Sequence, residues 1–290
     1  MIRLKLYLVE IAYRELLEET SMLRFDLNIS ILLREVPFLE RFERAASLGF
    51  GAVEFWWPGD ENLSAIVERV HASGLAVALI NFDAGDLAGG ERGFLNDASR
   101  QEQFRTHVPI ALEFAQQVGC SRLNALIGNV IPGESREAQM DRVRQNLAWA
   151  ADQAIAANLN VVVEALNVFD TPRYLLTNTH ETLQLLAEVN RPNLKYQYDL
   201  YHMQRMEGNL IATLHEHIGQ IEHIQVADSP GRHEPGTGEI HYLNVLAALD
   251  ASGYQGYVGL EYNPTTSSEA SLAWLPGDRS GMLAVSDLRL

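Results

Sequence analysis

Three carboxylates and an amide stand at the ends of apolar runs, and their types suit a hard cation. Asn160-Val161-Val162-Val163 leads into Glu164, and Leu194-Lys195-Tyr196-Gln197-Tyr198 leads into Asp199. Ile221-Glu222-His223-Ile224 leads into Gln225, and Tyr257-Val258-Gly259-Leu260 leads into Glu261. A charge set against a buried run costs free energy unless something pairs with it. Such an oxygen set fits Mg²⁺ or Mn²⁺ better than a thiolate-type zinc site, with open positions for substrate oxygens. A cation holding adjacent carbonyl and hydroxyl oxygens acidifies the C–H beside the carbonyl and stabilises the enediolate. A carboxylate on each face could then remove and return the proton. Glu164 and Glu261 are the natural pair, as ligands and as acid and base. A single acid at a strand end is more often a helix N-cap or a solvated loop residue. Four polar ends on consecutive runs are harder to dismiss.

The elements that must position these groups follow from periodicity. The Val161-Val162-Val163 run is β-branched and apolar on both alternating faces, as in a parallel strand covered on both sides. Similar runs predict strands at residues 25–30, 51–56, 75–81, 123–128, 160–164, 194–199, 221–228 and 257–261. Between them, helical patterns cover 37–48, 62–73, 99–118, 134–157, 178–189, 208–218 and 243–251, with a short one at 267–274. Eight alternating units in 290 residues predict a single-domain α/β fold, a closed (β/α)8 TIM barrel. No Gly-x-Gly-x-x-Gly follows the first strand, which argues against a dinucleotide fold. Barrel active sites lie at the C-terminal strand ends, where the four polar residues fall. The Gly-rich stretch 84–93 is a long loop of the functional kind. Residues 1–21 read as an amphipathic N-terminal extension, with Met22 as a possible start of the working chain. The barrel then spans 22–275, and 276–290 form a C-terminal tail.

Bulk properties narrow the function classes. The formal charge is −16, from 22 basic and 38 acidic residues. Such a surface repels nucleic acid and gives no support for an anionic membrane. No apolar run approaches the roughly 20 residues that span a bilayer. The one cysteine, Cys120, excludes an intramolecular disulfide and fits a reducing cytoplasm. Its side chain reads as a small apolar filler.

Longer motifs add a family likeness. Asn28-Ile29-Ser30, Ala52-Val53-Glu54-Phe55, Ala84-Gly85-Asp86 and Ala88-Gly89-Gly90-Glu91-Arg92-Gly93 resemble the hydroxypyruvate isomerase family of xylose-isomerase-like barrels. Val163-Glu164-Ala165, the run Gln197 through Gly208, Ile224-Gln225-Val226-Ala227-Asp228, Glu234 through Ile240, and Gly259-Leu260-Glu261-Tyr262 complete the likeness. It covers about residues 22–274. It implies a divalent metal on Glu164, Asp199, Gln225 and Glu261, with Glu164 and Glu261 exchanging the proton. The implied reaction interconverts hydroxypyruvate and 2-hydroxy-3-oxopropanoate (tartronate semialdehyde) without an organic cofactor, since both have one oxidation level.

Other residues have two readings each. His202, three after Asp199, binds a substrate oxygen or is a satisfied structural histidine. Arg232, in the Gly/Pro loop after the seventh strand, clamps a carboxylate or is solvated. Glu54 binds a substrate hydroxyl or positions a neighbour. Asn81 ends the third strand facing the pocket, and Ile80 before it departs from relatives that carry His there. Trp56 and Trp57 cover the barrel mouth. Rival readings are a 2-oxo-tetronate isomerase and a ketose 3-epimerase, the latter disfavoured by Gln225 where those enzymes usually present His. A repair nuclease is disfavoured by charge, and a sugar-acid binding protein has no need of both Glu164 and Glu261. The expected partner is a small hydroxy-oxo acid, and a homo-oligomer is left open.

Overall fold

Val161, Val162 and Val163 are all fully buried, as a strand covered on both faces requires. In the computed structural model, which describes residues 22–290, they lie in the fifth of eight parallel strands. The expected extension over residues 1–21 falls outside the described residues. The strands are β1 (Met22–Asn28), β2 (Ala52–Phe55), β3 (Ala76–Asn81), β4 (Arg122–Asn124), β5 (Asn160–Glu164), β6 (Leu194–Asp199), β7 (Ile221–Val226) and β8 (Tyr257–Leu260). Each pairs in parallel with the next, and β1 pairs with both β8 and β2, which closes a (β/α)8 barrel.

The outer helices are α1 (Phe38–Ser47), α2 (Leu63–Ser73), α3 (Gln101–Gln117), α4 (Arg136–Ala156), α5 (Thr179–Val189), α6 (Leu200–Met206), α7 (Leu210–His217) and α8 (Tyr242–Ala251). Their starts follow capping chemistry. Asn62, Ser135 and Asn178 accept from the backbone three residues on. Gly74, at φ 69°, ends α2 in the left-handed conformation.

Three elements differ from expectation. β4 stops at Asn124 instead of running to 128, because Ile127 bridges Gly93 and accepts from the Asn96 amide. The loop after β3 thereby takes the pairing that would have extended the strand. The short helix α6 follows β6 directly, where no separate helix was expected. Its start is capped by Asp199, whose Oδ1 accepts from the Tyr201 and His202 amides at 2.7 and 3.3 Å. The expected helix at 267–274 shrinks to one 3₁₀ turn, Ala270–Leu272.

Residues 276–290 return to the barrel. Met282–Ala284 forms an antiparallel strand, β9, on β1, and Leu283, Val285 and Leu288 are buried. Cys120 is buried, and burial pushes its thiol up to about 11, which suits a packing role.

Candidate active site

Strand alternation decides which side chains enter the barrel. Two-residue spacing places Gln197 with Asp199, His223 with Gln225, and Asp26 with Asn28, and all six are buried polar residues. A cavity of about 410 Å³ opens at the C-terminal ends of the strands. Its lining includes Asn81, Glu164, His202, Arg232, Glu261 and Trp56.

Glu164 ends β5. Its Oε2 accepts from Asn124 Nδ2 and Gln197 Nε2, each at 3.0 Å, and Oε1 lies 4.0 Å from His202 Nε2. Burial first, then the charges of Glu261 and Asp199, hold its carboxyl well above the usual range. Asp199 divides its two oxygens. Oδ1 caps α6, while Oδ2 is buried with no hydrogen bond, 3.6 Å from His202 Nε2 and 3.9 Å from Arg232 Nη2. Burial lifts Asp199 to about 6, against the pull of Arg232.

Glu261 follows β8. Oε1 accepts from Asn28 Nδ2 at 2.9 Å and Trp56 Nε1 at 2.7 Å, and Oε2 meets Arg232 Nη2 at 2.5 Å. Burial raises it to about 7 despite that arginine. Gln225 takes a different orientation from its expected one. Its Oε1 accepts from Gln197 at 2.7 Å and its Nε2 donates to Glu54 Oε1 at 2.6 Å.

His202 has one tautomer. Its Nδ1 faces the Asn167 amide N–H at 3.0 Å and Asn167 Nδ2 at 2.7 Å. The Asn167 amide is itself fixed, since its Oδ1 accepts from the Phe169 and Asp170 backbones. Two donors on Nδ1 leave the ring proton on Nε2, which points at Glu164 and Asp199. Burial, then Arg232, Arg205 and Arg92, keep the ring neutral. His202 is therefore a hydrogen-bond donor to the cavity.

Glu54 is fully buried and bonds to Asn28 Nδ2, Gln225 Nε2 and His223 Nε2, the last at 2.6 Å. Burial opposes its ionisation, but His223, Gln225 and Asn28 outweigh that and keep it below the usual range. Its neighbour Asp26 is held well above that range by burial and by Glu54. Of the two tryptophans, Trp56 lines the cavity, and Trp57 packs edge-on to His107 at 4.4 Å.

Arg232 is placed by the loop after β7. Asp228 builds that loop: its Oδ1 accepts from Ser229 and Ile240, and its Oδ2 accepts from Gly236 and Gly238. A Cβ on Gly238 would stand 2.1 Å from the Ser229 carbonyl, so the turn needs glycine there. Sequence reasoning missed Asp228 in this role, missed the bond that Trp56 makes to Glu261, and missed Asn28, Asn124, Asn167 and Gln197. Asn28, Asn124 and Gln197 lie in strands; Gln197, two before Asp199 on the same face, carried a signal, and Asn28 and Asn124 end their strands as the expected ligands do.

The donor chemistry fits a divalent cation. Glu164, Asp199 and His202 each offer an atom within 4.8 Å of the others, all buried. The orphaned Asp199 Oδ2 and the raised carboxyls are what clustered acids show when positive charge is needed among them. Since His202 presents N–H, the hard oxygens of Glu164 and Asp199 are the ligating atoms of this group.

Residues 42–277 match the family described as the xylose isomerase-like TIM barrel. The chain belongs to that family. It is 42% identical over 254 residues to the hydroxypyruvate isomerase of Escherichia coli K12, covering 88% of this chain and 98% of that one. It is also 38% identical over 253 residues to the 2-oxo-tetronate isomerase of Pectobacterium atrosepticum, covering 87% and 97%. A crystal structure described as AP endonuclease, family 2, from Brucella melitensis superposes with a TM-score of 0.84 at 40% identity, covering 87% and 98%. Membership and identity to isomerases over most of the chain make it an enzyme of the aldose–ketose isomerase class.

Proposed function

We propose that this enzyme interconverts hydroxypyruvate and 2-hydroxy-3-oxopropanoate by proton transfer through an enediolate. One observation carries the reading: two buried carboxyls, Glu164 and Glu261, face one small cavity and both hold protons more tightly than ordinary acids. A base near neutrality is suited to take a carbon-bound proton and give it back. One carboxylate removes the proton from C3 as the C2–C3 double bond forms, and the other delivers a proton to C2. The hydroxyl proton passes from O3 to O2. His202 Nε2–H donates to an oxygen on this path, and Arg232, held by Glu261, steadies the developing negative charge. Asn81 closes the cavity wall.

Glu164, Asp199, Gln225 and Glu261 would hold the divalent cation, Mg²⁺ or Mn²⁺. Gln225 would turn its amide away from Gln197 to do so. When bound, the ion supplies Lewis acidity to the two substrate oxygens. No organic cofactor is needed. The buried thiol of Cys120 suits a cytoplasmic setting, and among the described residues no helix is long and apolar enough to cross a membrane.

A 2-oxo-tetronate isomerase is the second reading, supported by a relative of nearly equal identity. The name of the Brucella structure does not alter the reading, because a charge of −16 opposes binding to phosphate backbones. The test is kcat/KM on hydroxypyruvate against 2-oxo-tetronate, with Glu164→Gln beside the native chain. Hydroxypyruvate is expected to be favoured, and Glu164→Gln to keep the fold and lose about 10²–10⁴-fold in kcat. Near-normal turnover by metal-loaded Glu164→Gln would overturn the role given to Glu164.

A further inference from the structure

Three more guanidinium groups line the same cavity. Arg144 and Arg191 sit against carboxylates at 2.6 Å. Arg34, Arg41 and Arg92 line the cavity without an acid within ion-pair distance among the described residues. On a chain with a net charge of −16, three basic groups without a direct acid contact in one cavity call for a cause.

Two of the three are fixed in a particular way. Arg41 donates from Nε to the Val36 carbonyl at 3.0 Å and from Nη1 to the Ile29 carbonyl at 2.7 Å. Arg92 donates from Nη1 to the carbonyls of Leu87 at 2.8 Å and Glu91 at 2.6 Å. Carbonyl acceptors orient a guanidinium without cancelling its charge. Nη2 of Arg41, and Nε and Nη2 of Arg92, keep their donors free of protein partners among the described residues. Both groups are half-buried, where a charge is costly. Like charges add to that cost. Burial first and then Arg34 disfavour the charged form of Arg41, only partly offset by the more distant Glu35 and Glu61, and burial and then Arg232 do the same at Arg92. Arg232 is already matched to Glu261. Exposed Arg34 and half-buried Arg41 and Arg92 therefore add positive charge to the cavity wall, and the cavity of about 410 Å³ exceeds what a three-carbon acid fills.

We infer that Arg34, Arg41 and Arg92 form an oxyanion subsite at the mouth of the cavity, which seats an acid group of the substrate while Glu164 and Glu261 act on its carbons. The inference rests on the isomerase reading for the second half of that statement only. Planar guanidinium forks suit carboxylate and phosphate oxygens alike. Arg34 arrives from the β1–α1 loop, Arg41 from the start of α1 and Arg92 from the β3–α3 loop, so the subsite joins two βα units of the barrel face.

Two probe anions, malonate and inorganic phosphate, are titrated calorimetrically into the metal-loaded full chain, and then into Arg34→Ala and Arg92→Gln. Arg34 is exposed and has no protein partner among the described residues, so Arg34→Ala folds normally and keeps the test decisive if Arg92→Gln does not. At least one anion binds the native chain, and each variant that folds binds it about tenfold more weakly, as loss of a charge-assisted contact predicts. Malonate alone identifies a carboxylate, and phosphate alone a phosphorylated substrate. In parallel, Arg34→Ala raises KM for hydroxypyruvate and leaves kcat near its native value. Binding of neither anion, or equal binding by the native chain and Arg34→Ala, overturns the subsite. Anion binding that depends on Arg34 without turnover of hydroxypyruvate upholds the subsite and overturns the isomerase reading instead.

Discussion

Asp199 shows how one side chain serves fold and chemistry together. Oδ1 holds the start of α6, which fixes the carboxylate plane, and Oδ2 is left buried and unbonded, 3.6 Å from His202 Nε2. With Glu261 at about 7 and Asp199 at about 6, the folded chain binds protons more tightly than the unfolded one. Stability from these groups is complete below the ordinary carboxylate values and is lost as pH rises through about 6 to 7. A bound cation would restore what ionisation removes. EDTA-treated protein should therefore melt at a lower temperature near pH 8 than near pH 5.5, and added Mn²⁺ should raise Tm more at the higher pH. Equal shifts at both pH values, by scanning calorimetry, would contradict this picture. At this scale the strand-end residues were legible, because a polar group ending an apolar run is visible in one dimension. Asn28, Asn124 and Gln197 were not. Their partners lie 233, 40 and 33 residues away, and only barrel closure brings them together.

Elements were legible where periodicity alone decides them. All eight barrel strands formed where apolar runs stood, and the cap residues Asn62 and Asn178 work as their types require. What the sequence could not show was competition between elements, as when the Gly93 loop displaced the end of β4. Gly93 itself is the hinge of that contact. It has φ +93°, and a Cβ there would stand 1.8 Å from the Leu126 carbonyl. Gly93→Ala must move the loop that carries Arg92 and lines the cavity with Leu87 and Ala88. It should destabilise the protein by about 2 kcal/mol or more in urea unfolding and raise KM more than it lowers kcat. Native-like stability and KM would show that the loop is not held by this contact.

At the scale of the molecule, the barrel and its tail share one core. Trp274 packs edge-on to Phe25 of β1 at 5.7 Å, and its carbonyl accepts from Arg289 at 2.8 Å. Each large aliphatic side chain buried by the tail contributes about 1.5–3 kcal/mol. A chain ending at Leu275 loses Leu283, Val285 and Leu288 and exposes the edge of β1. It should melt well below the full chain and tend to aggregate. An unchanged Tm would show that the tail only covers the barrel. Its short runs, interrupted by Gly277 and Gly281, carry too little periodicity to announce a strand, and β9 exists because β1 offers it an edge.

The central claim is proton transfer between adjacent carbons by Glu164 and Glu261 with a divalent cation present. It is tested most directly by proton NMR of hydroxypyruvate in D₂O with metal-loaded protein, before and after EDTA. Signals of 2-hydroxy-3-oxopropanoate, with deuterium entering at carbon and both effects abolished by EDTA, are the predicted result. Neither product nor deuterium incorporation at any metal loading would contradict the account.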